Sequence, residues 1–313
     1  MLLATVTAMA QGPVAPDASK LKLASANVLV LDAAANRPIY AKAANEVTPI
    51  ASLTKLMTAI VALDAGQPLD ESIAIDMDDF DYLKGSRSRL RMGAELSRRE
   101  MLQLALMASE NRAASSLARH YPGGVPAFVV AMNAKARTLG MTRTHFSDPT
   151  GLSAQNVSTA RDLATLVGAA AQYPLIREFS TTQSHYVEVQ STGQLIGFNN
   201  TNALVKNTDW DIQVSKTGFI REAGKCLVMM ATISSRPVVI VLLDSLGRYT
   251  RIGDAVRVKY WLETGESMPV RTAKASKAVK SSPKGKPGVK GTLSPKLAQN
   301  AGPSAKTGKA RRA

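Results

Sequence analysis

Residues 50–63 constrain the fold of this chain more than any other segment, because they form an almost uninterrupted apolar stretch, IASLTKLMTAIVAL. The larger side chains recur at positions i, i+3, i+4, i+7 and i+8, which are Leu53, Leu56, Met57, Ile60 and Val61. This spacing is typical of an α-helix, and Ala51, Ala59, Ala62 and Leu63 leave almost no polar face. We therefore expect a helix that is buried on nearly every side.

Lys55 is the one charged residue of this segment. Burying an unpaired ammonium group is costly unless its pKa falls and the group becomes neutral. Ser52 precedes Lys55 by three residues, so both side chains lie on the same face of the helix. A serine hydroxyl beside a neutral lysine is a nucleophile with its general base next to it. The alternative is a lysine that extends to the surface near the helix start, with Ser52 as the N-cap.

The composition fits a globular protein of one large domain or two, with 313 residues, 45% of them hydrophobic and 20% charged. No run reaches the roughly 18 apolar residues of a membrane span. The formal net charge is +15, but residues 271–313 hold twelve lysines and arginines and no acidic residue. The remaining 270 residues therefore carry only +3. Arguments from charge about binding partners apply to this C-terminal segment alone.

The first residues, MLLATVTAMA, form a short apolar run that ends in the small-x-small pattern read by signal peptidase. We interpret residues 1–10 as the remnant of an export signal and residues 11–23 as a linker. The alternative is an ordinary disordered N-terminus.

Strand patterns lie at both ends of the body, and helical patterns lie in its middle. The predicted strands are residues 25–32, 38–42, 211–215, 225–233 and 237–243. Helical spacing recurs in residues 98–108, 112–119, 125–139, 159–171 and 250–263. This order predicts an α/β domain over residues 24–268, in which one mixed sheet includes the N-terminal hairpin and a helical lobe is inserted.

Metal and disulfide chemistry have no local support in the sequence. Cys226 is the one cysteine and lies in an apolar strand-like run, which predicts a buried and inert thiol. The three histidines, His120, His145 and His185, are far apart, and no HxxxH or CxxC spacing occurs. We expect no metal site and no cofactor.

Two polar motifs join the SLTK sequence at residues 52–55. SEN at residues 109–111 interrupts apolar residues at a helix junction, and KTG at residues 216–218 ends a strand-like run. The glycine of KTG allows another backbone to approach closely. The three motifs match, in order and in local context, the set found in penicillin-binding proteins and serine β-lactamases. A second KTG, which begins at Lys306, lacks the strand context.

With these motifs, residues 24–266 resemble the low-molecular-mass penicillin-binding proteins, which are D-alanyl-D-alanine peptidases. Four stretches are similar to the endopeptidase branch, often called penicillin-binding protein 7: THFSDPTGL, NVSTARDLA, NNTNALV and SENRAASSLARHYPGG. The resemblance implies a serine β-lactamase/DD-peptidase-like fold, with a mainly antiparallel sheet flanked by helices. It implies a serine DD-endopeptidase that hydrolyses D-alanyl crosslinks of peptidoglycan through an acyl-enzyme and that penicillins inhibit covalently.

The resemblance also implies a role for each motif residue. Ser52 would attack the carbonyl carbon of a D-alanine, and Lys55 would take the proton of the serine hydroxyl. Lys216 would help to keep Lys55 neutral by charge repulsion. Ser109 would pass a proton to the leaving amine, and Asn111 would hold an amide of the substrate.

Further residues are implied around the substrate's carbonyl and carboxylate groups. Thr217 would bind the terminal carboxylate, and the backbone N–H groups of Ser52 and Phe219 would form the oxyanion hole. Gly218 would belong to the substrate-binding strand between them. Arg248 is a candidate second contact for the carboxylate; the alternative is an arginine in a surface turn.

Three other functions are open on sequence grounds. The nearest is a D-alanyl-D-alanine carboxypeptidase. A class A β-lactamase would need a glutamate after the SEN motif to activate the deacylating water. Residues 141–174 contain only Asp148 and Asp162 as acidic residues, so we expect slow deacylation of penicillins. A purely polymer-binding basic protein would have no use for the three motifs or for a lysine in a buried helix.

Residues 269–313 are rich in Lys, Pro, Gly, Ser and Ala and contain no aromatic residue, so we expect them to be disordered. Without aromatic rings they offer no platform for stacking bases, which disfavours nucleic acid as a partner. The expected partners are peptidoglycan crosslinks, β-lactams and, for the basic tail, anionic envelope polymers. The alternative is a solubilising tail without a partner. The expected location is the periplasm.

Overall fold

The computed structural model describes residues 16–247 and 249–269, and we number the elements in chain order. The strands are β1 (Asn27–Asp32), β2 (Arg37–Lys42), β3 (Thr48–Pro49), β4 (Ser72–Ala74), β5 (Glu95–Ser97), β6 (Val157–Ser158), β7 (Ser184–Val189), β8 (Gln194–Asn199), β9 (Asp211–Ile220), β10 (Gly224–Ile233) and β11 (Arg236–Ser245). The helices are α1 (Lys55–Asp64), α2 (Arg98–Met107), α3 (Asn111–Arg119), α4 (Gly124–Thr138), α5 (Ala160–Ala170), α6 (Pro174–Thr181) and α7 (Thr250–Thr264). The interpretations of residues 1–10, of the basic tail from residue 270 and of Arg248 lie outside the described residues.

The main sheet has five strands in the order β2-β1-β11-β10-β9. The N-terminal hairpin therefore joins the three late strands, as the sequence predicts. The mixed sheet predicted from the order of the elements is wrong, and the mainly antiparallel sheet implied by the resemblance is confirmed, because all four pairings are antiparallel. Strands β9, β10 and β11 follow one another through tight turns, and such short connections can join only antiparallel neighbours. Strand β9 lies at one edge of this sheet, so one side of it has no neighbouring strand of the sheet.

Helices cover both faces of the main sheet, and each face has its own hydrophobic core. The larger core joins one face to α1, α2, α3 and α5. On the other face α7 packs through Trp261, whose indole ring meets Tyr40 edge to face. Residues 17–23, assigned to a linker by the sequence, contribute Leu21 and Leu23 to this second core. The Trp261 N–H also donates to the Asp17 carbonyl, so this segment packs on the body.

The apolar segment that dominates the sequence forms the centre of the larger core. It begins with a 3₁₀ turn, Ala51–Thr54, and continues as α1. Every residue from 51 to 62 is buried except Ser52, which is half-buried. The predicted buried helix is therefore confirmed. The serine lies in the tighter turn that precedes the α-helix, and the lysine is the first α-helical residue.

Several short elements differ from the sequence prediction. The polar stretch between α1 and α2 contains the small hairpin formed by β4 and β5, and residues 174–199 contain α6 followed by the β7–β8 hairpin. Strand β4 has only three residues and β8 has an irregular burial pattern, whereas β7 alternates in burial but carries the apolar Tyr186 at an exposed position, which hides the alternation in the sequence. Cys226 is fully buried in β10, and burial raises the pKa of its thiol to about 11, as expected for an inert cysteine. None of the described helices is long and apolar enough to span a membrane.

Candidate active site

Ser52 and Lys55 meet at the point where the 3₁₀ turn passes into α1. The Lys55 Nζ lies 2.9 Å from the Ser52 Oγ, 2.7 Å from the Asn111 Oδ1 and 2.6 Å from the Thr150 carbonyl oxygen. The lysine side chain is fully buried, whereas the serine is half-buried and opens to the cleft. The alternative in which Lys55 extends to the surface is therefore wrong.

Burial sets the proton affinity of Lys55. It lowers the pKa from the ordinary 10.5 to about 7, because the charged form loses its hydration. The carboxylates of Asp148, Glu110 and Asp81 oppose this effect and raise the pKa. The amine is thus neutral in a large fraction of molecules near neutral pH, and a neutral amine can accept the proton of Ser52.

A tight loop between α4 and α5 contacts Lys55 through the carbonyl oxygen of Thr150. The carboxylate of Asp148 accepts hydrogen bonds from the backbone of Thr150, Gly151 and Ser153 at 2.6 to 3.0 Å. This turn directs the Thr150 carbonyl oxygen at Lys55. The fully buried Asn156 side chain fixes the loop, since it accepts from the Asp148 N–H and donates to the Asp148 carbonyl.

The same loop touches the backbone that carries the nucleophile. Gly151 has a φ of +81°, and a Cβ built on it would lie only 2.0 Å from the Ala51 carbonyl oxygen. Only glycine allows this conformation and this approach. Thr150 and Gly151 belong to the stretch THFSDPTGL, but the sequence predicts no role for either residue, because a carbonyl contact leaves no side-chain pattern.

Strand β9 brings the KTG motif to the other side of Ser52. A Cβ on Gly218 would lie 2.9 Å from the Ile50 carbonyl oxygen and 3.2 Å from the Ser52 N–H nitrogen. The close approach expected from this glycine is therefore confirmed. The Thr217 hydroxyl donates to the Thr201 hydroxyl at 2.7 Å, so Thr201, in the NNTNALV stretch, joins the cleft although the sequence analysis gave it no role.

Lys216 is buried on β9, with its Nζ 3.1 Å from the Thr217 carbonyl oxygen. Burial lowers its pKa well below 10.5, and the charges of Lys55 and Arg251 lower it further. Repulsion between the two lysines thus lowers the pKa of Lys216. The pKa of Lys55, in contrast, is low because of burial. The predicted help from Lys216 in keeping Lys55 neutral stays a prediction.

The SEN motif forms the junction between α2 and α3. Ser109 has a φ of +60°, a conformation that a non-glycine residue adopts rarely and mostly at functional positions. Asn111 begins α3 and reaches Lys55 directly, so this junction forms one wall of the cleft. Ser52, Lys55 and Asn111 are therefore in direct contact, and Lys216, Thr217 and Gly218 approach from the opposite wall.

Arg251, in the first turn of α7, is a cation that the sequence analysis did not select. Its Nη1 donates to the Gly218 carbonyl oxygen at 3.0 Å, and its Nε is buried without a hydrogen-bond partner in the described part of the chain. Phe219 is exposed at the same end of β9. Arg248, the cation selected from the sequence, lies outside the described residues.

A cavity of about 230 Å³ adjoins Asn111 and Thr150 and is lined by Phe80, Tyr82 and several aspartates. A larger cavity of about 420 Å³ lies between the main sheet and α5, and none of the motif residues lines it. The larger cavity is therefore not the candidate active site, which is located by the contacts of Lys55. Within residues 16–247 and 249–269, no group of three or more His, Cys, Asp or Glu side chains could hold a metal ion.

Comparison with known proteins agrees with this geometry. The family model for D-alanyl-D-alanine carboxypeptidase matches residues 14–247. The D-alanyl-D-alanine endopeptidase of Escherichia coli is 49% identical over 86% of this chain and 87% of its own length. The Pseudomonas aeruginosa protein of the same name is also 49% identical, over 87% of each chain. A crystal structure of a Streptomyces DD-transpeptidase has a TM-score of 0.72 at 28% identity and covers 77% of this chain and 98% of that one.

The fold and the Ser–Lys site define a serine peptidase of the penicillin-binding class. Within that class, the chain belongs to the D-alanyl-D-alanine carboxypeptidase family, whose members include the two endopeptidases that are 49% identical to it.

Proposed function

We propose that this chain is a DD-endopeptidase that hydrolyses D-alanyl crosslinks of peptidoglycan in the periplasm, through an acyl-enzyme on Ser52. The observation that carries the proposal is the buried Lys55 amine, 2.9 Å from the Ser52 hydroxyl and with a pKa of about 7. A fully buried amine in contact with a serine is a general base in position for nucleophilic catalysis. The half-buried serine gives a substrate carbonyl access to the hydroxyl oxygen.

In the acylation step, the Ser52 oxygen bonds to the carbonyl carbon of a D-alanine while its proton passes to neutral Lys55. The backbone N–H groups of Ser52 and Phe219 stabilise the negative carbonyl oxygen. The amide C–N bond then breaks, and the proton held by Lys55 passes through Ser109 to the departing amine, so Lys55 is neutral again. Water attacks the resulting ester, Lys55 takes a proton from that water, and Ser52 regains its hydrogen as the acyl group leaves.

Strand β9 is suited to hold the substrate as an added strand, because it is the sheet's edge and faces the nucleophile. Thr217 and Thr201 offer hydroxyl groups beside it, and Arg251 adds a positive charge at the Gly218 carbonyl. These groups suit a substrate carboxylate next to the scissile amide. Arg248 stays a second candidate for this contact.

Two observations support endopeptidase over β-lactamase activity. Both relatives that are 49% identical carry the name endopeptidase. Asp148, the acidic residue nearest to Lys55 in the loop after SEN, uses its carboxylate to hold that loop and is not placed as a free base. Deacylation of a penicilloyl-enzyme is therefore slow, and β-lactams act as covalent inhibitors. More distant relatives named carboxypeptidases, such as one of Bacillus subtilis at 31% identity, make trimming of terminal D-alanine the second candidate activity.

Digestion of purified muropeptides separates the two activities. Wild-type protein and the Ser52→Ala variant are incubated with crosslinked dimers and with uncrosslinked pentapeptides, and the products are measured by liquid chromatography with mass spectrometry. The proposal predicts that the wild type converts dimers to monomers and that the variant leaves both unchanged. Persistent dimers together with loss of D-alanine from pentapeptides would establish the carboxypeptidase instead.

We propose a binding role for the basic tail, residues 271–313, toward anionic envelope polymers. Its twelve cations and its lack of acidic residues support an electrostatic, salt-screened attraction. The full chain and a chain ending at Val270 are sedimented with purified wall sacculi at low and at high salt. The full chain should pellet more strongly, and only at low salt. Equal pelleting of both chains at low salt would show that the tail contributes no binding.

A further inference from the structure

We propose that Ser86 is a positioning residue, which orients the Asn111 side-chain amide so that neutral Lys55 directs its lone pair at Ser52. The observed contacts run in series: the Asn111 Nδ2 donates to the Ser86 Oγ at 2.9 Å, and the Asn111 Oδ1 contacts the Lys55 Nζ at 2.7 Å. Ser86 therefore reaches the general base through one intervening side chain. This inference rests on the proposed function of Ser52 and Lys55.

Ser86 belongs to a loop between β4 and β5 that is built around Asp81. The Asp81 carboxylate accepts from the backbone N–H groups of Leu83, Lys84 and Ser86 at 2.8 to 2.9 Å. Lys84 also forms a 2.5 Å ion pair with Glu222, which follows β9 on the opposite wall of the cleft. The loop therefore contacts α3 on one wall of the cleft and the turn after β9 on the other wall. Ser86 is half-buried.

The Ser86 hydroxyl accepts from the Asn111 amide, and the Asp81 carboxylate, which accepts from the Ser86 backbone N–H at 2.8 Å, is the acceptor beside it. Burial tends to raise the pKa of Asp81, but hydrogen bonds from the Ser86 side chain and from the loop backbone hold that pKa below its ordinary value. Asp81 is therefore an ionised acceptor near the hydroxyl. We infer that the Ser86 hydroxyl hydrogen points to this carboxylate, so that Ser86 offers only lone pairs to Asn111. The amide must present its NH₂ group to Ser86 and hence its oxygen to Lys55.

The orientation of this amide decides where the lone pair of Lys55 lies. A neutral lysine amine has two hydrogens and one lone pair, and its Nζ has three contacts here. The Thr150 carbonyl and the Asn111 Oδ1 are pure acceptors, so they take the two hydrogens. The lone pair is left for the Ser52 hydroxyl. If the amide turned over, its NH₂ group would donate to that lone pair and the base would be blocked.

The test uses the rate of acylation by a fluorescent penicillin, with the full chain and three variants. Ser86→Ala removes the acceptor and should lower the acylation rate constant about tenfold, the order expected for one lost hydrogen bond at a reacting group. Penicillin binding before acylation should be unchanged. Ser86→Thr keeps the hydroxyl and should restore most of the rate. Ser191→Ala is the matched control, because the exposed Ser191 hydroxyl donates to the Gly93 carbonyl oxygen at 2.8 Å, at the far end of the same loop.

A double-mutant comparison shows whether Ser86 acts through Asn111. In the Asn111→Ala background no amide is present to turn over, so adding Ser86→Ala should have no further effect on the residual rate. Slow residual acylation can be followed for hours by intact-protein mass spectrometry. A wild-type rate for Ser86→Ala, an equal loss in Ser191→Ala, or the same loss in the Asn111→Ala background would each overturn the proposal. Absence of acylation in the wild type would instead refute the proposed function.

Discussion

Protonation of Lys55 should control the rate at which the protein reacts with penicillins. Burial lowers the pKa of this lysine from 10.5 to about 7, a difference that corresponds to about 5 kcal/mol against the charged form. Below the folded-state pKa the amine is charged and cannot act as a base. We expect the acylation rate constant to rise about tenfold per pH unit up to about pH 6, to reach half of its maximum near pH 7, and to be flat above about pH 8.

The assay is stopped-flow acylation with a fluorescent penicillin at constant ionic strength, from pH 5 to pH 10, with circular dichroism to verify that the protein stays folded. Lys216 also has a lowered pKa, so its contribution must be separated. Lys216→Arg keeps a charge that cannot be removed and should retain a transition at or below pH 7, although with a lower plateau. A rate that keeps rising tenfold per unit to pH 10, or one that is flat from pH 5, would refute Lys55 as the base.

Three further predictions concern glycines. Gly218→Ala places a Cβ 2.9 Å from the Ile50 carbonyl oxygen, so β9 must move away from the nucleophile; acylation should slow about tenfold to hundredfold with a small change in melting temperature. Gly151→Ala places a Cβ 2.0 Å from the Ala51 carbonyl oxygen at a φ of +81°, and urea unfolding should show a loss of about 3 kcal/mol. Gly168→Ala in α5, with nothing within 4 Å of the new Cβ, is the matched control and should stabilise the protein by about 0.5 to 1 kcal/mol. A neutral effect of the first two substitutions would contradict the close contacts around the nucleophile.

The long, regular elements could be predicted from the sequence because their burial follows their periodicity. The buried helix around Lys55, the long C-terminal strands and α5 all agree with the prediction. The β7–β8 hairpin could not be predicted, because its exposed positions carry apolar side chains such as Tyr186 and Leu195. The antiparallel sense of β9, β10 and β11 follows from their short connections, whereas the pairing of β1 with β11 joins distant segments, which local patterns do not record.

The residues of the site also fall into those that the sequence predicts and those that only the structure shows. Ser52, Lys55, Asn111 and the KTG strand could be found because motif chemistry requires particular side chains at particular spacings. The Thr150 contact could not be found, since any residue supplies a carbonyl oxygen and only the turn around Asp148 aims it at the lysine. Arg251 was missed for a related reason, because the end of β9 and the start of α7 meet only in the folded chain.

The central claim, that Ser52 is the nucleophile, is tested most directly by locating the bound penicillin. After labelling, tryptic cleavage at Lys42 and Lys55 releases residues 43–55, in which Ser52 is the one serine. Tandem mass spectrometry should place a single penicilloyl group on Ser52, and the Ser52→Ala protein should stay unlabelled. A penicilloyl group on any other residue, or stable labelling of Ser52→Ala, would contradict the account.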